Sequence, residues 1–385
     1  MQQEYDIVIV GSGPAGATTA RFASESGLKV LLVDKKQELG APIQCSGAVS
    51  GPGLAAAGVE PEDEFVLKSI YGFEIFNAEG ESNRIDYREL KPDKYPGEAL
   101  GYVVDRRRFD RRLMTLAERV GTEVWLKTNA IGYKPLEDGT CEVYLNRFNQ
   151  DITVKAKVVV GADGLQSQVG KWANLRTHIK LSELASCLQV IVDKVEADGL
   201  LEIVTGEEWA PGGYAWVFPK DHGYAEIGLG VIKSITDLDA RYYLDRFMKE
   251  SFFKDRFKNA RVLEIQGGGV PLASPLKKQF AENLILVGDA ARHVNPITGG
   301  GIHTALSAGR IAGKYLANLI KEGKRPTADN LEGYQDKWYE DQGEKMWKLY
   351  NVKTDIFKMK QPEQDKALFD TMSYYFSPDS EYRKI

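Results

Sequence analysis

The feature that most narrows the possible folds of this chain is a glycine-rich turn at residues 11–16, Gly-Ser-Gly-Pro-Ala-Gly. It follows a continuous β-branched run at residues 7–10, which is typical of a strand buried on both faces of a parallel sheet. Residues 14–26 favour a helix that ends at Gly27, and residues 28–33 form a second apolar run. The order strand, turn, helix, strand predicts a βαβ unit.

The spacing of these glycines predicts a dinucleotide ligand. Gly11 permits the tight turn, Gly13 lets backbone N–H groups approach a pyrophosphate, and Gly16 allows close contact between helix and strand. Asp34 ends the second strand, with Lys35 beside it, and its carboxylate is placed to accept hydrogen bonds from an adenosine ribose. Because this carboxylate repels a 2′-phosphate, we expect FAD or NAD rather than NADP.

Charge and cysteine content disfavour several other classes of protein. The net charge is −5 and the pI is about 5.7, so we expect no nucleic-acid partner. Three cysteines without a C-x-x-C pair and four histidines without metal-ligand spacing disfavour a disulfide scaffold or a metal site. No run approaches the roughly 18 apolar residues of a membrane span, and residues 1–6 are too polar for a signal peptide. We expect a cytoplasmic chain that begins at residue 1.

Two later apolar runs also end in glycine and aspartate. Residues 157–160 lead into Gly-Ala-Asp-Gly, and residues 283–287 lead into Gly-Asp-Ala-Ala. Between them, alternating patterns with short turns predict an antiparallel sheet, with strands at residues 185–195, 200–204, 213–219 and 224–232. The expected fold class is α/β, with a Rossmann-like domain interleaved with an antiparallel-sheet substrate domain and a helical C-terminal region.

The predicted domains are discontinuous in sequence. The cofactor domain comprises residues 1–68, 101–170 and 262–304, the substrate domain comprises residues 69–100 and 171–261, and the helical region comprises residues 305–385.

Together, the three glycine-containing segments resemble those of the flavoprotein class that contains para-hydroxybenzoate hydroxylase. The resemblance implies FAD as the cofactor, with Asp289 at the ribityl chain and the helix start after Pro296 at the flavin pyrimidine ring and pyrophosphate. It also implies that Arg106 lies near the cofactor, and that the strand at residues 124–130 passes the adenine at the small Ala130. The candidate cofactor-binding residues are Gly11, Gly13, Ala15, Gly16, Asp34, Lys35, Cys45, Ser46, Gly47, Arg106, Ala130, Asp163, Asp289, Gly300, Gly301 and Ile302.

Within this class, the chain resembles the geranylgeranyl reductase family over nearly its whole length. Residues 42–47, Pro-Ile-Gln-Cys-Ser-Gly, and residues 211–219, Pro-Gly-Gly-Tyr-Ala-Trp-Val-Phe-Pro, carry the resemblance. The latter matches the family's P-x-x-Y-x-W-x-F-P at every fixed position. Alternation along a strand puts Tyr214, Trp216 and Phe218 on one face, which suits a polyprenyl chain, and places Gly228 and Gly230 on the same face of the partner strand.

The family resemblance implies a reductase that saturates C=C bonds of geranylgeranyl chains in archaeal ether lipids or their precursors. Hydride transfer from reduced flavin N5 and protonation of the other carbon create no oxyanion, so no metal or hydrolytic triad is needed. Cys45 is the candidate side chain for the proton, with water as its rival. His293 is expected to shape the flavin pocket rather than to act as an acid or base.

The expected partners are a polyprenyl lipid and an external electron donor, either a ferredoxin, a nicotinamide or a deazaflavin. Leu349, Val352, Ile356 and Met359 share one helical face, which predicts either peripheral contact with the inner face of the cell membrane or packing against the body of the protein. The alternative functions are a flavin monooxygenase or halogenase of the same class, or a prenyl-lipid carrier without flavin chemistry.

Overall fold

The computed structural model describes residues 3–94 and 97–383. The strands, in chain order, are β1 (Glu4–Val10), β2 (Val30–Val33), β3 (Ala48–Ser50), β4 (Val66–Ile70), β5 (Gly72–Phe76), β6 (Ser82–Asp86), β7 (Gly101–Val104), β8 (Glu123–Trp125), β9 (Thr128–Pro135), β10 (Cys141–Arg147), β11 (Gln150–Gly161), β12 (Leu184–Val192), β13 (Leu200–Val204), β14 (Ala215–Pro219), β15 (Ala225–Ile232), β16 (Val262–Pro271), β17 (Phe280–Ala281) and β18 (Leu284–Leu286).

The helices are α1 (Pro14–Ser24), α2 (Gly51–Ala56), α3 (Tyr87–Leu90), α4 (Arg106–Arg119), α5 (Gln168–Trp172), α6 (Ala240–Glu250), α7 (Lys254–Phe257), α8 (Ile302–Lys321), α9 (Ala328–Trp338), α10 (Glu344–Ile356) and α11 (Glu363–Phe376). A π-helical turn at Tyr339–Gly343 joins α9 to α10. Short 3₁₀ turns lie at Leu181–Glu183, Gly288–Ala291 and Glu381–Arg383.

The first sheet has the strand order β17, β18, β11, β1, β2, β8, and β9 and β10 form a hairpin on the first half of β11. Strands β18, β11, β1, β2 and β8 are mutually parallel, as the β-branched run of β1 predicts for that strand, and β17 is an antiparallel edge strand. The expected single strand at residues 124–130 is instead divided into β8 and β9, because Lys127 between them adopts a left-handed backbone, with φ of 50°.

The second sheet has the order β16, β12, β15, β14, β13, β5, β6. Its four strands predicted between residues 185 and 232 are present, but the sheet is not wholly antiparallel, because β13 pairs with β5 in parallel. The sequence assigns β16 to the cofactor domain, whereas the strand pairs along its length with β12 in this sheet. The chain therefore returns to the first sheet only after Pro271. Strands β3, β7 and β4 form a small third sheet between the two.

Helices α1 and α8 lie against each other with unusually close backbones. A Cβ atom at Gly309 would lie 2.6 Å from the carbonyl oxygen of Ala15, and one at Gly313 would lie 2.7 Å from that of Thr19. Both positions therefore need glycine. This contact brings the N-terminal ends of the two helices to the same edge of the first sheet.

Among the described residues, no helix has the length and apolar character needed to cross a membrane.

Candidate functional site

A cleft of about 310 Å³ lies where β1 and β11 end and where α1 and α8 begin. Its walls come from the glycine-rich turn, from residues 40–45, from α4, from β16 and from the segment around Asp289. In a parallel sheet this edge, beyond the carboxyl ends of the strands, is where ligands bind. The three glycine-containing segments that the sequence separates by more than 100 residues meet here.

The turn at residues 11–16 has the geometry that its glycines predict. Gly11 has φ of 111°, and a Cβ atom there would lie 2.2 Å from the carbonyl oxygen of Ala162. A Cβ atom at Gly16 would lie 1.9 Å from the carbonyl oxygen of Gly11, so neither position accepts a side chain. Gly13 differs, because no protein atom lies within 4 Å of its Cβ position, and Gly13 lines the cleft. The space beside Gly13 is therefore available to a ligand.

Asp34 is buried at the end of β2 and already holds the turn in place. Its carboxylate accepts hydrogen bonds from the backbone N–H groups of Ser12 and Lys36, each at 2.8 Å. The ribose contact of Asp34 stays a prediction. Lys35 is exposed, whereas its neighbour Lys36, which the sequence analysis did not select, lines the cleft. Ala130 packs at the edge of the core around the first sheet rather than in the cleft wall.

Asp163 is engaged at the start of α5. Its carboxylate accepts hydrogen bonds from the hydroxyl of Ser167 at 2.7 Å and from the backbone N–H groups of Gln168 and Val169 at 2.6 and 3.0 Å. Its side chain therefore supports the first turn of α5, next to the N-cap residue Ser167. The backbone on either side, at Ala162 and Gly164, lines the cleft. Any effect of Asp163 on a cofactor would thus act through the shape of this loop.

Arg106 and Asp289 place charge inside the cleft. Arg106 donates two 3.0 Å hydrogen bonds to the carboxylate of Asp110 in the next turn of α4. Burial raises the pKa of Asp289 above its usual value, and the Arg106 guanidinium partly opposes this rise. An ionised carboxylate is a strong hydrogen-bond acceptor for a hydroxyl group. This arrangement suits the ribityl contact that the resemblance implies for Asp289.

The start of α8 presents backbone donors to the same cleft. Gly301 caps the helix without a side-chain hydrogen bond, and Gly301 and Ile302 line the cleft beside Gly299. Gly300 lies between Gly299 and Gly301, and a Cβ atom there would lie 3.2 Å from the Thr298 hydroxyl oxygen and 3.4 Å from the His303 ring. Helix α1 also begins without a side-chain cap, at Gly13. Two uncapped helix starts and the open space at Gly13 fit the pyrophosphate and the flavin ring of FAD.

A second cavity of about 130 Å³ opens from the first. The two share Gln44, Cys45, Val270 and Gly299 as walls, so these residues mark the junction. The second cavity is otherwise lined mainly by apolar and aromatic side chains of the second sheet and of α10 and α11. Its chemistry suits a hydrocarbon ligand.

The aromatic face predicted at Tyr214, Trp216 and Phe218 lines this second cavity. The ring centroid of Trp216 lies 5.8 Å from that of Tyr214 and 6.2 Å from that of Phe218. Trp216 pairs directly with Gly228 across the hairpin, and a Cβ atom at Gly228 would lie 2.5 Å from the indole. The predicted hairpin register is therefore confirmed, and the glycine leaves the space that the indole occupies.

Cys45 lies at the junction of the two cavities. It is partly buried, and its Sγ accepts a 3.5 Å hydrogen bond from the backbone N–H of Gly47. Gly47 has φ of 83°, and a Cβ atom there would lie 2.4 Å from the carbonyl oxygen of Val104, so Gly47 holds the loop against β7. Ser46 lines the second cavity. Cys187 also lines this cavity, and burial raises the pKa of its thiol to about 12.

His293 is a buried structural residue. Its ring stacks on Trp338 with centroids 3.8 Å apart, and its Nδ1 accepts a 3.2 Å hydrogen bond from the backbone N–H of Gly288. Burial lowers the pKa of His293 to about 3, so the ring is neutral at physiological pH. It supports the turn that precedes Asp289.

The C-terminal helices close the second cavity. Leu349 and Ile356 are buried, so α10 packs its apolar face on the body of the protein, and Ile356, Phe357 and Leu368 line the cavity. Lys353 lies on the same buried face. The sequence spacing places Lys353 on the same helical face as Leu349 and Ile356, and this spacing could have indicated that Lys353 is buried.

Two family models match this chain. The family model for an FAD binding domain matches residues 4–209, and that for the geranylgeranyl reductase catalytic domain matches residues 183–270. A digeranylgeranylglycerophospholipid reductase from Methanothrix thermoacetophila is 36% identical over 96% of this chain and 91% of its own length. The chain belongs to the geranylgeranyl reductase family. A second such reductase, from Methanopyrus kandleri, is 38% identical over 96% of this chain and 90% of its own length.

Solved structures agree with membership of the geranylgeranyl reductase family. A geranylgeranyl bacteriochlorophyll reductase-like protein from Thermoplasma acidophilum superposes with a TM-score of 0.89 at 29% identity, covering 98% of this chain and 94% of that one. The flavin-dependent halogenase CmlS superposes with a TM-score of 0.72 over 99% of this chain and 67% of that one, but at 18% identity it shares only the fold. The protein is an FAD-dependent oxidoreductase.

Proposed function

We propose that this protein saturates C=C bonds of geranylgeranyl chains in an ether lipid or its precursor, as the names of its relatives indicate for those proteins. The observation that carries the proposal is the junction at Cys45, where a cavity lined by aromatic and aliphatic side chains meets the FAD cleft. An isolated trisubstituted alkene offers no polar group to hold. Its position has to be set by the shape of an apolar cavity, and this one is built from Trp216, Phe218 and the C-terminal helices.

When bound and reduced, FAD supplies the hydride for this reaction. The residues of the chain bind, orient and shield the substrate. The rings of Tyr214, Trp216 and Phe218 form one wall, and their negative faces can stabilise positive charge that develops at the tertiary carbon. The apolar lining excludes water, which strengthens every electrostatic interaction inside. Cys45 is positioned at the junction to give a proton to the other carbon.

The experiment is anaerobic. Purified protein reduced with dithionite is mixed with digeranylgeranylglyceryl phosphate, while flavin absorbance and product mass are followed together. The proposal predicts reoxidation of the flavin together with mass gains of two hydrogens per step. A flavin that stays reduced until oxygen is admitted would favour a monooxygenase or halogenase, and a protein without flavin would favour a lipid carrier.

The physiological electron donor is proposed to be an external ferredoxin, nicotinamide or deazaflavin. Each can be supplied in turn under anaerobic conditions, and the true donor should bleach the flavin absorbance fastest.

Peripheral membrane contact is proposed for the end of α10 and the following turn. Met359 there is 43% exposed, and Lys358 and Lys360 flank it. Because α10 buries Leu349 and Ile356, the part of this segment that we propose to meet a lipid surface is the turn at Met359. Flotation with anionic vesicles tests the contact, and binding that does not weaken in Met359→Ser would contradict it.

A further inference from the structure

A buried ion pair lies on the substrate side of the β14–β15 hairpin. Glu226 on β15 is 1% exposed and pairs with Phe218 across the hairpin. Lys220, which directly follows β14, has a side chain 9% exposed, and its Nζ lies 3.0 Å from Oε2 of Glu226. Alternation along the strands puts the Glu226 carboxyl on the same face of the sheet as Trp216 and Phe218.

Lys220 connects two different environments. On one side its Nζ lies 3.5 Å from the carbonyl oxygen of Ser46, the residue after Cys45, and both Ser46 and Cys45 line the apolar cavity. On the other side Lys220 lines a polar cleft of about 550 Å³. The other charged or titratable side chains of that cleft are Lys68, Glu74, Glu196, Asp198, Glu202, His222, Tyr224 and Arg256.

The surroundings of Glu226 make its ion pair with Lys220 energetically unfavourable as a purely structural feature. Full burial raises the pKa of Glu226, while the ammonium of Lys220 and the indole of Trp216 lower it, and Glu264 on β16 adds to the rise. Among the described residues, neither carboxylate oxygen has a hydrogen bond of good geometry, and the Trp216 indole N–H is also without one. Buried charges with so little hydrogen bonding are destabilising, and such groups concentrate at functional sites.

We propose that Lys220 and Glu226 form a proton relay between the polar cleft and the Cys45 end of the apolar cavity. This inference rests on the proposed reduction of an alkene. In each turnover the acid at the junction, assigned to Cys45, gives its proton to the alkene carbon and becomes a thiolate. The ammonium of Lys220 returns a proton to the thiolate through the Ser46 hydroxyl or water. Water in the polar cleft, which Lys220 lines, returns a proton to the amine, and the Glu226 carboxylate 3.0 Å away stabilises the ammonium that forms. One solvent proton is consumed for each double bond reduced.

The decisive variant is Glu226→Gln, which keeps the shape of the side chain and removes its negative charge. With reduced enzyme and digeranylgeranylglyceryl phosphate in repeated turnover, we expect the rate to fall at least tenfold and the solvent deuterium isotope effect to rise. Added formate, a small acid, should restore part of the rate. Glu202→Gln is the matched control. Glu202 lines the same polar cleft, pairs with Arg256 at 2.7 Å, and has a pKa raised by burial to about 7. It should stay within about twofold of the wild-type rate, because it has no route to Cys45.

A second measurement needs no turnover. The pH dependence of Cys45 alkylation by iodoacetamide, followed by mass spectrometry of the Cys45 peptide, reports the charge near the thiol. The Arg106 guanidinium, which interacts with Cys45, contributes to this charge and is retained in both variants. In Glu226→Gln the midpoint should move to lower pH, because a neighbouring negative charge is lost, and in Glu202→Gln it should not move.

The outcomes separate this inference from the proposed function. If the wild-type protein leaves the lipid unreduced, the proposed function fails. The alkylation midpoint then shows by itself whether the Lys220–Glu226 pair is coupled to Cys45. If the wild-type protein reduces the lipid and Glu226→Gln does so equally fast, the relay is wrong. A slow Glu226→Gln variant that formate does not restore, with an unmoved alkylation midpoint, would show a structural role and would also overturn the relay.

Discussion

Replacing Lys353 by methionine should stabilise the protein. Lys353 is 8% exposed on the inner face of α10, where its ammonium donates a hydrogen bond to the carbonyl oxygen of Leu272 and lines the apolar cavity. Burial lowers the pKa of Lys353 from 10.5 to about 8. At roughly 1.4 kcal/mol per pH unit, this difference corresponds to about 3 kcal/mol of destabilisation of the charged form. Losing the hydrogen bond costs about 1 kcal/mol, so the expected net gain is about 2 kcal/mol at pH 7.

The gain should depend on pH in a defined direction. Below about pH 8 the lysine is charged in both the folded and the unfolded protein, so the full cost of burial applies. Between about pH 8 and 10.5 the unfolded chain binds more protons than the folded one, and the stability of the wild-type protein rises relative to the variant. The advantage of Lys353→Met is therefore largest at pH 7 and is mostly lost by pH 10.5.

Thermal unfolding of the FAD-loaded protein at pH 7 and pH 10 measures this effect. For a chain of this length a gain of about 2 kcal/mol should raise the Tm by roughly 2–3 °C at pH 7. Lys348→Met, an exposed position on the same helix, is the control and should change the Tm by less than about 1 °C. A Tm for Lys353→Met at or below wild type, or a gain of equal size at both pH values, would refute the assignment of a buried ammonium.

Four further variants test the site. Gly13→Ala should fold but lose most of its bound FAD, because its Cβ has free space only where the cofactor would lie. Flavin absorbance per mole of protein measures this loss. Gly16→Ala should instead lower the yield of folded protein itself. Gly228→Ala should retain FAD and reduce the lipid at least tenfold more slowly, because the added methyl group would displace the Trp216 indole. Cys45→Ala should slow product formation by about tenfold or more if its thiol gives the proton, and an unchanged rate would assign that step to water.

The local features of the fold could be predicted from the sequence. The turn at residues 11–16, α1 and the four strands between residues 184 and 232 follow from glycine positions and from alternation, which depend on neighbouring residues alone. The parallel pairing of β13 with β5 and the pairing of β16 with β12 depend on contacts between distant segments. The sequence of one strand does not indicate which distant strand it pairs with. These pairings, and the domain boundary at residue 262, therefore could not be predicted.

The same distinction applies to the site. Tyr214, Trp216 and Phe218 could be placed on one face because a strand alternates strictly, and Gly228 followed from the length of the hairpin turn. The role of Asp163 in supporting the first turn of α5 depends on a helix that is only five residues long and has little sequence pattern. The pairing of Lys220 with Glu226 also lay beyond prediction, because charged residues near a turn are normally exposed.

The two cavities have walls from regions that are far apart in sequence, and this constrains how the activity can arise. The junction needs the loop at Cys45, the segment Gly299–Ile302 and β16 together, while the outer end of the apolar cavity needs α10 and α11. Helices α10 and α11 are therefore part of the substrate site rather than an attachment to it. Truncation before α10 would remove one wall of the apolar cavity while leaving every residue named for FAD in place. We therefore expect the region that follows α9 to govern which prenyl chains are reduced, and the first sheet to govern cofactor binding.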